Sequence, residues 1–264
     1  MFFRANGAPV ELVNLFQGRA IFIVCNGPSF SNTNWSLLRK PGILTFGMNN
    51  GAHLFRPNLW AALDDPVRFM ESIWRDAAIL KFVPVKQMFK PIWIHTKGEI
   101  SRDLVRDYPN VIGFRRNERF DAEQWLSEPT INWGNHADLA GGRSVMLPVL
   151  RIAYVLGFRK AFLIGCDFQM DEARKYWFPE DRSPNAISNS AYSYTRLREY
   201  FRSLQPKFLD AGFHVYNCTP GSRLEAFPFQ ELEAAVAEHA IDLSESTYGM
   251  YCGASDSAVG AESD

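Results

Sequence analysis

Apolar runs recur along the chain, and each stops at a short polar turn. "AIFIVC" at 20–25 ends at Asn26-Gly27-Pro28-Ser29, "ILTFGMN" at 43–49 ends at Asn49-Asn50, and "LWAALDD" at 59–65 ends on Asp64-Asp65 before Pro66. Runs this short and this uniformly apolar predict strands buried on both faces rather than half-exposed ones. "NTNWSLLRKPG" predicts a short helix closed by Pro41-Gly42, and "VRFMESIWRDA" has helical spacing. "AAILKFVPV" and "PIWIHTK" predict further strands. Gly141-Gly142 precede a predicted helix over about 144–156 that Gly157 terminates, with Pro148 in its first turn, where a missing N–H is tolerated. "KAFLIGCDF" then predicts a strand ending in Asp167, "SAYSYTRLREYFRSLQPKFLDAG" an amphipathic helix closed by Gly212, and "FHVYNCTP" a last strand.

Repetition of strand, turn, helix and strand predicts an α/β, Rossmann-like fold, a mostly parallel sheet with helices on both faces. A single domain over 1–243 is expected, with lid insertions near 98–135 and 171–194 forming a small lid subdomain. The Ser-, Gly- and acid-rich segment 244–264 reads as a disordered tail. In such sheets ligands collect beyond the carboxyl ends of the strands. Asn26–Ser29, Asn49-Asn50, Asp64-Asp65, Asp167 and Thr219–Ser222 all fall at ends of that kind. One polar strand end is ordinary turn chemistry, whereas this many predict a cleft.

Composition narrows the partners. Across 264 residues, hydrophobic content is 47% and aromatic content 14%, enough for a large core. The 28 basic and 29 acidic residues leave a net charge of −1, so no excess positive charge advertises nucleic acid or an anionic membrane. Cys25, Cys166, Cys218 and Cys252 show no C-x-x-C spacing, which predicts reduced thiols and a cytoplasmic setting. Neither a signal peptide nor a membrane span is expected. No His/Cys/Asp spacing resembles a zinc site, and no G-x-S-x-G, Walker or G-x-G-x-x-G pattern occurs. His53 and His136 follow or precede polar turns, while His95 and His214 lie within strand-like runs.

The first turn carries the most chemistry. Gly27 lets backbone approach a ligand, Pro28 fixes the turn, and Ser29 with the N–H groups after it is suited to a phosphate, or to capping the next helix.

"FIVCNGPSF", "TFGMNNGAHLF", "ALDDP", "GGRSVMLPVLRIAYVLGFRKAFLIGCDF", the Tyr of "KYWF" and "VYNCTPGSRLEAF" together resemble, in the same order, the bacterial sialyltransferases of glycosyltransferase family 42. The same skeleton resembles the MptE-like group, which includes 6-hydroxymethylpterin pyrophosphokinases and Maf flagellin glycosyltransferases. The resemblance runs in short islands over roughly 20–230. It implies a nucleotide-sugar donor, of CMP-sugar type, held by Asn26, Gly27, Pro28 and Ser29, with Asn49 or Asn50 as a further contact. Gly142 and Ser144 match the small-residue segment over the nucleotide, and Tyr176 a tyrosine that hydrogen-bonds the donor phosphate. The sialyltransferases use a histidine base for which "NAISNSAYSYTRL" offers no counterpart, so Asp167 and Asp65, carboxylates at strand ends, are the expected catalytic groups. An Asp at 65 looks more like the pyrophosphokinases, whose Asp64 and Asp65 would bind Mg²⁺ while ATP gives up a diphosphate.

The aromatic and basic stretches 114–135 and 174–194, with Arg115, Arg116, Arg174 and Lys175, suit lids that stack a base and balance phosphate charge. Three functions stay open: a glycosyltransferase needing no cofactor, a Mg²⁺-dependent pyrophosphokinase, and a nucleotide-binding module without turnover. The acceptor hydroxyl belongs to a glycan, a protein or a modified nucleobase, and an oligomer is compatible with the composition.

Overall fold

In the computed structural model, which describes residues 1–136, 141–170, 175–181 and 183–248, the strands of the central sheet run from one edge in the order β13-β12-β3-β4-β5-β6-β9-β1-β2. These are β1 (Phe2–Phe3), β2 (Pro9–Val10), β3 (Ala20–Val24), β4 (Thr45–Met48), β5 (Leu59–Ala61), β6 (Leu80–Pro84), β9 (Val111–Phe114), β12 (Lys160–Ile164) and β13 (His214–Asn217). All pair in parallel except β1, which is antiparallel to β9 and to β2. The fold is α/β with a mostly parallel sheet. Two small ribbons flank it: β7 (Pro91–Ile94) with β8 (Glu99–Leu104), and β10 (Arg116–Asn117) with β11 (Ile131–Asn132).

Side-chain alternation along β3 divides the core. Ile21 and Ile23 face a cluster with the helices α3 (Met146–Val155) and α4 (Pro184–Asp210), whereas Ala20, Phe22 and Val24 face α5 (Leu232–His239), Phe30 and Phe55. Every residue of β3 is buried, as its unbroken apolar run requires. A third cluster packs Trp60 and Trp74 beside the short helices α1 (Gly51–Leu54) and α2 (Glu71–Arg75).

Several elements differ from the sequence reading. "NTNWSLLRKPG" forms no α-helix; 3-10 turns over Pro28–Asn32 and Leu37–Arg39 replace it. The 98–135 segment, read as a lid, supplies β9 to the central sheet. Helix α4 begins at Pro184, with proline in the first turn, so residues read as lid are its opening turns. "PIWIHTK" forms β7, outside the central sheet. Arg174, Cys252 and 249–264 of the expected tail lie outside the described residues. Among the described residues no helix is long and apolar enough to cross a membrane.

Candidate active site

The order of the sheet fixes where the cleft opens. From β3 the chain builds β4, β5 and β6 to one side, while β12 pairs on the other, so the carboxyl ends of β3 and β12 flank a topological switch point. A cleft of about 470 Å³ opens there, within the range usual for ligand sites. Strand ends line it: Asn26 and Gly27 after β3, Asn49 after β4, Asp64 after β5, and Gly165 to Phe168 after β12.

Asp167 is the pivot of this arrangement. Its Oδ2 accepts from the Ser29 hydroxyl at 2.8 Å and from the Ser29 backbone N–H at 3.3 Å. Its own carbonyl accepts from Arg223 N–H, and Thr219 and Ser222 bond the backbone of Cys166 beside it. The Cys-Thr-Pro-Gly-Ser segment therefore braces the β12 loop from below, and Ser29 braces it from the side. Gly27 passes so close that a Cβ there would stand 2.0 Å from Asp167 Oδ2 and 2.5 Å from the Gly165 carbonyl. Phe168, next along, holds φ +56°, a strained value for a bulky residue, with its ring packed on Tyr194 and Phe201. Asn49, φ +50°, is a second left-handed residue on the cleft wall.

At the inner end of the turn, Asn26 Oδ1 is shut off from solvent and has no hydrogen-bond partner among the described residues, and neither has Trp177 Nε1. Both face the space beside Gly51: a Cβ there would lie 2.8 Å from the first and 3.4 Å from the second. An acceptor and a donor thus lie close against the Gly51 backbone. Trp177 is fixed in place by Phe30 and Trp35, with ring centroids 4.9 and 5.2 Å away.

The remaining expected residues divide. Asp64 is exposed on the cleft wall. Asp65 is not on that wall: its Oδ2 pairs with Lys90 at 2.5 Å and its Oδ1 caps the turn at Val67, and these hydrogen bonds hold its carboxyl below the usual carboxylate range despite partial burial. Asn50 clips the chain rather than facing the cleft, donating to Arg68 O and accepting from Met70 N–H. Ser29 and Pro28 stand behind the wall, and Gly142 packs against Arg196 and Leu197 of α4. Ser144 lines the cleft and accepts from Met146 N–H at the start of α3, and Tyr176 lines it with its ring on Phe178.

No protein-family model matches the chain, and no curated protein matches it. Among solved structures it is similar to that of the sialyltransferase CstII from Campylobacter jejuni in complex with a substrate analogue, cytidine-5'-monophosphate. The two share 13% identity over 82% of this chain and 87% of that one, with a TM-score of 0.45. At those values no residue role transfers from one to the other.

Several cleft residues escaped the sequence reading, Gln169 and Ser190 among them. Arg143, at the entrance to α3, is a cation on the wall, and its Nη1 lies 3.4 Å from His136 Nδ1. Burial and then the Arg143 charge push His136 below its ordinary pKa, and its ring lies on Trp133. Asn189 and Ser193, on α4, form the facing wall. Arg143 lay within the quoted Gly-Gly segment and was detectable as a lone cation before a helix; Asn189 lay in a stretch whose composition reads as loop, and Ser193 in the first turn of the predicted amphipathic helix, with nothing in its spacing to single it out. Cys25 and Cys166 also line the cleft, and contact with Cys25 together with burial raises the Cys166 thiol well above its ordinary pKa, which disqualifies it as a nucleophile.

Proposed function

We propose that the protein is a glycosyltransferase that moves a sugar from a nucleotide-sugar donor, CMP-sugar for preference, to an acceptor hydroxyl. The observation that supports this reading is that Asn26 and Gly27 at the switch point line the same cleft as Arg143, which stands just before α3. Arg143 and the helix start suit the phosphate. The order of motifs resembling the sialyltransferases adds the donor class.

In this reading the acceptor oxygen attacks the anomeric carbon, the bond from that carbon to the phosphate oxygen breaks, and the nucleotide leaves with the electron pair. Asp64 takes the acceptor's proton. It faces the cleft with its carboxylate exposed, whereas Asp65 is bound to Lys90 and Asp167 is engaged by Ser29. Asp167 instead holds the donor turn in place. Engagement of Asp65 by Lys90 and the Val67 N–H favours the metal-independent reading over Mg²⁺ bound at Asp64 and Asp65.

The test combines thermal shifts with kinetics. CMP-sugars should stabilise the protein more than UDP-, GDP- or ADP-sugars or ATP, following RT ln(1 + [L]/Kd), and EDTA should leave transfer unchanged. Asp64→Asn should lower kcat by roughly 10²–10⁴-fold with donor affinity intact. Stabilisation by ATP only with Mg²⁺, or full turnover in Asp64→Asn, would overturn the donor class or the base.

A further inference from the structure

The floor of the cleft holds sulfur. Cys25 follows β3, Cys166 follows β12 on the neighbouring strand, and Met146 opens α3 above them. The Sγ atoms of Cys25 and Cys166 each lie 3.9 Å from Met146 Sδ. All three residues line the cleft, with exposures of 6%, 3% and 4%, so an ion could enter from solvent and then sit in a nearly dry place.

The two Sγ–Sδ separations of 3.9 Å are compatible with one shared soft ion. Three sulfurs around one ion in a plane, each at about 2.3 Å from it, stand about 4 Å apart, because their separation is √3 times the bond length. Thiolate and thioether donors select soft cations, Cu(I) foremost. Zinc asks for a fourth ligand, and the adjacent carboxylate of Asp167 is engaged by Ser29 through Oδ2.

We propose that Cys25, Cys166 and Met146 form a three-coordinate site for Cu(I) on the floor of the cleft. As the ion enters, two thiolate–copper bonds and one thioether–copper bond form, both S–H protons pass to solvent, and copper stays Cu(I). The cation itself supplies the charge that makes thiolates stable in a dry site. The site is independent of the transfer reading, since none of its ligands carries a step of that reaction.

The test is anaerobic titration of the full chain carrying Cys218→Ser and Cys252→Ser, with Cu(I) delivered from a chromophoric chelator, followed by X-ray absorption. One Cu(I) per chain is expected, with three sulfur scatterers at about 2.3 Å. Cys25→Ala or Cys166→Ala should abolish stoichiometric capture. Met146→Leu, which conserves core volume and so remains folded by circular dichroism, should weaken it by at least ~10-fold, the loss seen even for outer-shell partners. A folded parent that takes no copper from the chelator, or capture that persists after loss of both cysteines, would overturn the site. Unchanged affinity in Met146→Leu would overturn the three-sulfur assignment.

Discussion

Gly27 has no room for a side chain, and that constraint ties the opening turn to Asp167. A methyl group there would overlap the Asp167 carboxylate and the Gly165 carbonyl, and the carbonyl is backbone that cannot swing aside. Gly27→Ala should therefore destabilise the fold by about 1–3 kcal/mol, the cost of overpacking, and weaken donor binding with it, as paired thermal melts and nucleotide titrations would show. Ser29 belongs to the same clamp. It was expected to hold a phosphate, yet both its donors go to a carboxylate that is 8% exposed. Ser29→Ala removes the shorter of those bonds from a buried charge and should cost about 1–3 kcal/mol of stability. If instead Ser29→Ala melts like the parent and loses nucleotide affinity, the hydroxyl contacts the ligand directly. Gly51 supplies a third test at this scale. Alanine in a helix ordinarily stabilises, but a Cβ at Gly51 would crowd Asn26 Oδ1, so Gly51→Ala should weaken donor binding while leaving the melting temperature within a few degrees. Unchanged donor affinity would mean that no ligand group uses the space beside Gly51.

Elements rather than residues decide what was legible beforehand. Strands β3, β4, β5, β6 and β12 were readable because strands buried on both faces have no polar alternation to disguise them, and the turns after β3, β4, β5 and β12 marked the cleft, whereas edge strand β13 alternates in exposure and its turn, Thr219–Ser222, lies off the cleft wall. Edges and short ribbons were not. Strands β1 and β2 are two residues each, too short to show a period, and only pairing with β9 makes them strands. The opening turns of α4 read as loop because Asn and Ser favour turns locally; packing of Ile187, Leu197 and Phe201 overrides that preference. The site divided the same way: Asn26, Asn49, Ser144 and Tyr176 reach the cleft, while Asp64 and not Asp65 does so, because a residue's side at a strand end depends on a register that sequence does not print. Helix α3 permits a prediction of its own. Arg143 stands exposed at its entrance and Ser144 bonds the N–H of Met146. Ser144→Ala should cost about 0.5–1.5 kcal/mol of stability as a lost hydrogen bond to the Met146 N–H, whereas Arg143→Ala should leave melting unchanged and weaken nucleotide binding roughly ten-fold, with a shallower salt dependence. Equal binding by Arg143→Ala and the parent would remove Arg143 from the phosphate.

Across the whole molecule, the cleft and the buried Lys81 occupy opposite ends of the sheet. The cleft gathers at the carboxyl ends of the strands, while the amino end of β6 buries Lys81 completely, its Nζ donating to the carbonyls of Asp76, Ile79 and Pro109. Those carbonyls gather the chain before β6 and the chain before β9 around one ammonium, away from every group assigned to catalysis. Burial lowers the Lys81 pKa from 10.5 to about 8. Between those values the unfolded chain binds the proton and the folded chain has released it, so the contribution of Lys81 to stability rises with pH. Below about pH 8 the desolvated ammonium exerts its full penalty, and by pH 10.5 about 3 kcal/mol of it is relieved. Lys81→Met has no such titration. The difference in unfolding free energy between parent and Lys81→Met should therefore shift in the parent's favour from pH 8 to pH 10.5, other ionising groups cancelling between the two proteins. Nucleotide affinity at fixed pH should be the same in both, because the substitution lies at the far end of the sheet. Denaturant melts across that pH range decide it: parallel stability profiles would mean that Lys81 keeps an ordinary pKa in the fold, and loss of nucleotide binding in Lys81→Met would mean that the two ends of the sheet are energetically coupled.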